Sequence, residues 1–179
     1  MKKGCVDLGL VLSAAEFAAR KHRDQRRKDQ GASPYINHPI TVADLLVKHG
    51  AVDDPRVIAA ALLHDTIEDT ETRYEELRGR FGAAVADIVV EVTDVKWLKK
   101  HTRKRLHVSR AARATHGAKL VKLADKIANL HDTIARPPAD WTVEKKQEYF
   151  DWAKSVVDQM RGVNPRLERY FDRLYRLRP

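Results

Sequence analysis

Ala59-Ala60-Ala61-Leu62-Leu63-His64-Asp65-Thr66-Ile67-Glu68-Asp69-Thr70 is the stretch on which the reading of this chain turns. Seven consecutive apolar residues, 57–63, run into His64 and Asp65 and are followed by Glu68 and Asp69. A helix that is apolar all round is buried, so its polar end reaches the edge of a core. At about 100° per residue, His64, Asp65, Glu68 and Asp69 fall at roughly 0°, 100°, 40° and 140° and share one sector. Carboxylates crowded on one helix repel one another, and burying them unpaired is costly, so a cation is the natural compensation. Imidazole with carboxylate suits a divalent transition metal. A lone His-Asp pair is common, and a histidine at a helix end is ordinarily a capping or core group. Further ligands elsewhere in the chain decide between the two.

Working outward, Asp53, Asp54 and Pro55 mark the start of this central helix. Before it, residues 8–22 carry Leu8, Leu12, Ala15 and Ala19, with Leu10 and Phe17, at helical spacing. Residues 23–37 contain Arg26, Arg27 and Lys28, then Gly31, Ser33 and Pro34, and read as a basic loop suited to phosphate oxygens. His38-Pro39 opens the next helix, with Pro39 at the favoured first position. His38 then stands at a loop-to-helix junction, where it can point into a cavity.

Downstream, two helices over 74–81 and 83–92 are separated at Gly82. Residues 93–100 break the pattern, and 103–115 form a strongly basic helix. Gly117 introduces a long helix to about Ala135 that is apolar over most of its circumference and carries Asp125 in its middle. A buried Asp needs a cation or several donors; the plainer account is a salt bridge to a Lys or Arg from another helix. Asn129, four residues on, shares its face. Helices over 143–160 and 165–177 complete the chain.

Composition agrees with a single all-α domain over 1–179. Hydrophobic residues make up 43% and aromatics 7%, which favours helices over strands. One cysteine, Cys5, excludes an internal disulfide framework and fits a reducing, cytoplasmic setting. Lys2 and Lys3 followed by apolar residues could imitate a signal peptide, but Asp7 and Glu16 interrupt the run, and no stretch is long enough for a membrane span. A net charge of +9 favours anionic partners, either nucleic acid or a highly phosphorylated small molecule.

His38, His64, Asp65 and Asp125 thus emerge as four candidate ligands from three separate helices, the arrangement of a site built between packed helices. Mixed nitrogen and oxygen donors fit one Mn²⁺, Zn²⁺, Fe²⁺ or Co²⁺ ion, and the lack of cysteine ligands argues against a structural zinc.

These residues resemble the H…HD…D signature of the HD metal-dependent phosphohydrolases. The strings Arg26-Arg27-Lys28, Pro34-Tyr35-Ile36-Asn37-His38-Pro39, the 60–70 segment and Val121-Lys122-Leu123-Ala124-Asp125-Lys126-Ile127-Ala128-Asn129-Leu130 resemble the alarmone hydrolase domain of the RelA/SpoT family, in its stand-alone small hydrolase branch. The likeness runs over residues 14–177. It implies an HD-domain bundle of about eight to ten helices and Mn²⁺-dependent hydrolysis of the 3′-diphosphate of guanosine 3′,5′-bis(diphosphate), giving GDP, or GTP from the pentaphosphate, and pyrophosphate. It also implies His38, His64, Asp65 and Asp125 as metal ligands and Glu68 and Asp69 as the catalytic acids. Arg27, Lys28, Asn129, Trp141 and Tyr149 are implied on the substrate side. Hydrolysis without synthesis is expected. Val95 stands where the family pattern has a second acid after Asp94, and Trp97 replaces a small polar residue. Alternatives from other classes are removal of the 2′-phosphate of NADPH, another nucleotide phosphohydrolase activity at the same metal site, and a nucleic-acid-binding module on Arg103 to Arg113. The last lacks a recognition motif and aromatics for base stacking, and no membrane partner is expected.

Overall fold

The computed structural model describes residues 7–179; Cys5 and the Lys2-Lys3 pair lie outside them. The described residues form ten α-helices, one 3-10 turn and no strand. In order, the helices are α1 (Leu8–Lys21), α2 (Asn37–Lys48), α3 (Pro55–Leu63), α4 (Thr66–Asp69), α5 (Tyr74–Phe81), α6 (Ala83–Val92), α7 (Lys100–Ala111), α8 (His116–Ala135), α9 (Val143–Val157) and α10 (Pro165–Tyr175), with the 3-10 turn Asp158–Met160 after α9. The expected all-α bundle is therefore what forms.

The central position of α3 follows from its composition. Val57 to Leu63 are all buried, so the helix has no face to offer water and is enclosed by α1, α2, α6 and α8. Asp54 caps it by accepting from the Arg56 amide, and Pro55 occupies the first helical position. The long α8 is the second axis of the core and packs on α2, α3, α6, α9 and α10. Gly82, at φ +84°, makes the turn from α5 into α6 that any side chain would strain.

Several boundaries differ from the sequence expectations for identifiable reasons. The central helix does not run on through the acidic segment. It stops at Leu63, Asp65 departs to φ −97°, ψ −3°, and the Thr66 hydroxyl donates to the Leu63 carbonyl at 2.7 Å. A short new helix, α4, then carries Glu68 and Asp69. The second helix begins at Asn37, which places Pro39 at its third position; the missing amide is one of those the first turn leaves unbonded anyway. The basic helix spans 100–111 instead of 103–115, because the Thr115 side chain accepts from the Ala118 amide and starts α8 at His116, ahead of Gly117.

The inward face of α1 is also rotated from the expected stripe. Ala14, Phe17 and Ala18 are buried, whereas Leu8 is 64% and Leu12 68% exposed. Ring edges decide this register: Phe17 meets Phe81 edge-on at 5.4 Å, under the cations of Arg20, Lys21 and Arg80. Phe17→Ala should therefore lower unfolding stability by about 3–5 kcal/mol, and Leu12→Ala by under about 0.5 kcal/mol. Urea denaturation of the two variants checks this, and the reverse ranking would turn α1 back to the stripe expected from sequence.

Candidate active site

The junction after α3, the first turn of α2 and the middle of α8 converge. His38 Nε2 lies 3.1 Å from Asp125 Oδ1 and 3.9 Å from Asp65 Oδ2. His64 Nε2 lies 3.0 Å from Asp65 Oδ2 and 3.8 Å from Asp125 Oδ1. Two imidazoles and two carboxylates from different parts of the chain thus present donor atoms to one point. Among the described residues, His38, His64 and Asp65 are the three that place theirs within 4.8 Å of one another.

The surroundings fix how these groups face. A carbonyl only accepts, so the 2.8 Å contact between His64 Nδ1 and the Ala61 carbonyl puts a proton on Nδ1 and turns Nε2 into the cluster. Nε2 is fully buried and has no hydrogen-bond partner. A buried imidazole nitrogen facing carboxylate oxygens is satisfied by a proton or, once that proton leaves, by a metal cation, so the donor set fits a divalent metal.

Second contacts hold the carboxylates. Tyr35 Oη donates to Asp65 Oδ2 at 2.6 Å, Lys126 Nζ to Asp125 Oδ2 at 2.8 Å, and Asn129 Nδ2 to Asp125 Oδ1 at 2.6 Å. The salt-bridge partner foreseen for Asp125 exists, but it is the adjacent residue of α8 and not a cation from another helix. Burial would raise both carboxyls; for Asp65 the two imidazoles, and for Asp125 Lys126 with the imidazoles, outweigh it and hold them below the usual range. Burial would likewise lower His64, yet the neighbouring Asp65 and Asp125 push it up to about 9.

Glu68 and Asp69 part company. Glu68 Oε2 accepts from the Asp94 amide at 3.0 Å, and burial raises its carboxyl above the ordinary value. Asp69 lies nearer the rim and is paired with Lys96. Behind Glu68, Asp94 accepts from His107 Nδ1 at 2.9 Å; burial and the nearby Lys126 lower that imidazole to about 4, so it stays neutral.

The residues assigned to the substrate side line an outer cavity of about 380 Å³. Arg27 is braced there by Asp132 Oδ2 at 2.8 Å and Asn129 Oδ1 at 3.3 Å. Lys28, Trp141 and Tyr149 share the lining, and the two aromatic rings stand 5.4 Å apart. Tyr149 also packs on Trp152, at 5.6 Å, so it has the packing contact as well as the cavity position. An inner cavity of about 170 Å³ continues past His64 and Asp65 to Glu68, Asp94 and Lys122. Trp97 is 87% exposed and lines neither cavity. The basic helix α7 is not a uniform outer face: Arg103 approaches Asp94 at 3.8 Å, and Lys104 covers the Trp152 ring at 5.3 Å.

Sequence reading assigned no part to Tyr35, Lys122 or Lys126, all of which line the inner cavity. Lys122 and Lys126 left a signal: two cations, four apart and flanking Asp125, on a helix that is apolar over most of its circumference.

The HD-domain family profile matches residues 14–152, and the chain belongs to the HD-domain family. Its relatives narrow the class. It is 50% identical over 171 residues to the guanosine-3′,5′-bis(diphosphate) 3′-pyrophosphohydrolase MESH1 of Danio rerio, covering 96% of this chain and 95% of that protein. The MESH1 of Homo sapiens is 51% identical over 168 residues, covering 94% of each. A solved structure described as a metazoan ortholog of SpoT that hydrolyses ppGpp and plays a role in starvation responses superposes with a TM-score of 0.91 at 46% identity, covering 94% of this chain and 95% of that one.

Because His64 is pushed up to about 9, a proton occupies Nε2 below that pH and must leave before a metal enters. Affinity for a divalent ion should therefore rise with pH between about 6.5 and 9, by up to about tenfold per unit for one released proton. Chelator-competition titrations across that range test it, and a pH-independent affinity would contradict the cluster described.

Proposed function

We propose that this protein hydrolyses the 3′-diphosphate of guanosine 3′,5′-bis(diphosphate), or of the corresponding pentaphosphate, to GDP or GTP and pyrophosphate, as one cytoplasmic domain that uses Mn²⁺. The observation that carries the reading is the buried, unpartnered His64 Nε2 facing Asp65 and Asp125 beside His38. The names of the MESH1 relatives support the substrate.

In this reading His38, His64, Asp65 and Asp125 hold the ion. When bound, such an ion lowers the pKa of a water towards ~7 and polarises a phosphoryl oxygen. Glu68 accepts the proton of the attacking water: its raised carboxyl suits a base near neutral pH, and the Asp94 amide fixes its orientation. Asp69, paired with Lys96 at the rim, assists in returning a proton to the leaving 3′ oxygen. Arg27 and Lys28 take up charge that spreads over the phosphoryl oxygens. Asn129, Trp141 and Tyr149 flank the nucleoside in the outer cavity.

Incubation of the purified protein with guanosine 3′,5′-bis(diphosphate) and Mn²⁺ should release pyrophosphate. His64→Ala and Asp125→Ala should lose both metal content and turnover, whereas Glu68→Gln should keep its metal and lose about 10²–10⁴ in kcat. Wild-type protein that releases orthophosphate from NADPH but no pyrophosphate from the guanosine substrate would replace this reading by the 2′-phosphatase one.

A further inference from the structure

One buried cation has no part in the chemistry above. The polar stripe of α8 runs Lys122, Asp125, Lys126, Asn129, at the i, i+3, i+4, i+7 spacing of a single face. Three of these four have strong partners inside the cluster: Asp125 accepts from Lys126 and Asn129, and Lys126 also lies over the Trp152 ring at 4.7 Å. Lys122 differs. It is only 4% exposed, forms no ion pair with any described carboxylate, and makes one long contact, to the Val92 carbonyl at 3.5 Å. An ammonium carries three donors, so this one is buried with most of its hydrogen-bonding capacity unmet. Burial and repulsion from Lys126 lower it to about 8, which leaves it mostly charged at neutral pH.

Its position shows what it lacks. Lys122 closes the inner cavity together with Glu68 and Asp94. Arg27 is braced by Asn129 and Asp132 at the other end of the same stripe. Lys122 and Asn129 are seven residues apart, about 10 Å along the helix, and Asp125 lies between them. The hydrolysis of a 3′-diphosphate forms a bond from the water oxygen to the phosphorus attached to the 3′ oxygen and breaks the bond between those two atoms. The 3′ oxygen gains a proton, and both phosphoryl groups depart together as pyrophosphate. With the nucleoside in the outer cavity and the reacting phosphorus at the four-residue cluster, the distal phosphoryl group extends into the inner cavity. A monophosphate ester ends at the cluster and leaves that space empty.

We propose that Lys122 grips the distal phosphoryl group of the 3′-diphosphate and so makes the site select a diphosphate over a monophosphate. This rests on the hydrolase reading and adds to it a residue that touches the substrate and sets specificity. The charged contact forms only when an anion with a second phosphoryl group arrives, and charge-assisted bonds of this kind are the stronger ones.

The test compares wild-type protein with Lys122→Met, a change of similar length that removes the buried charge, and with Lys122→Gln in case the first variant disturbs packing; melting temperature and metal content serve as controls. Calorimetric titration of the Mn²⁺-loaded proteins, with metal in excess, uses inorganic pyrophosphate and orthophosphate as probes. Lys122→Met should weaken pyrophosphate binding at least tenfold and orthophosphate binding less than twofold. In turnover, kcat/KM should fall about a hundredfold for guanosine 3′,5′-bis(diphosphate), mostly through KM, and less than threefold for the same nucleotide carrying a 3′-monophosphate. Equal losses for both anions, or no loss for either, would overturn the assignment. Because the anion titrations need no turnover, they decide the role of Lys122 even where wild-type protein fails to release pyrophosphate, an outcome that would count against the hydrolase reading alone.

Discussion

Two carboxylates, Asp65 and Asp125, are held in a mostly buried space beside two imidazoles, and that concentration of charge and lone pairs constrains the rest of the molecule. Taking a carboxylate out of water is costly unless hydrogen bonds and opposite charge replace the solvent. Here each one has a dedicated donor, Tyr35 for Asp65 and Lys126 for Asp125. Even so, the centre still faces a buried imidazole nitrogen, His64 Nε2, that has no well-directed hydrogen bond. A proton on that nitrogen or a metal ion satisfies the same need. The scaffold around it is correspondingly apolar, with all of Val57 to Leu63 buried, so the cost of the site is offset by a core helix that ends where the polar groups begin.

The long helix α8 serves both demands. Leu120, Val121, Leu123, Ala124, Ile127 and Leu130 are buried in the core, while the opposite stripe alternates positive and negative groups along the cavity. The outer cavity is rimmed by Arg27, Lys28 and Arg136, with aromatic rings to one side; the inner one narrows onto Glu68 and Asp94. A ligand with an apolar or planar end and a strongly anionic end matches that gradient. Neutral His107 behind Asp94, and Asp94 behind Glu68, form a support that fixes an acid without adding another full charge at the centre.

The helices and the four converging groups were legible in the sequence because both leave periodic traces. Apolar runs mark buried helices, and polar residues that interrupt those runs, such as His64 and Asp125, mark a site. Three features did not follow. The chain leaves α3 at Leu63 because the Thr66 hydroxyl takes up the Leu63 carbonyl, a local competition that periodicity does not register. The register of α1 depends on Phe17 meeting Phe81, which comes from a distant helix. Tyr35 reaches Asp65 across thirty positions from a loop with no periodic signal. The lysines of α8 were visible but ambiguous, since Lys on a helix is ordinarily solvated; only the packing shows that Lys122 and Lys126 have no surface to reach.

An overall charge of +9 and an acidic centre act in sequence on an approaching polyphosphate. The basic rim raises the local concentration of the anion, but the carboxylates further in repel it for as long as they lack a cation. A divalent ion held by the cluster would remove that repulsion, and a bound anion would in turn lower the cost of the ion's charge. The two binding events would therefore be positively coupled, and the coupling reciprocal by linkage. Arg103 and Lys104 sharpen this arrangement, because they turn inward onto Asp94 and Trp152 instead of adding to a general cationic surface. Charge that composition alone would assign to nucleic-acid binding is in part consumed by holding the walls of the site.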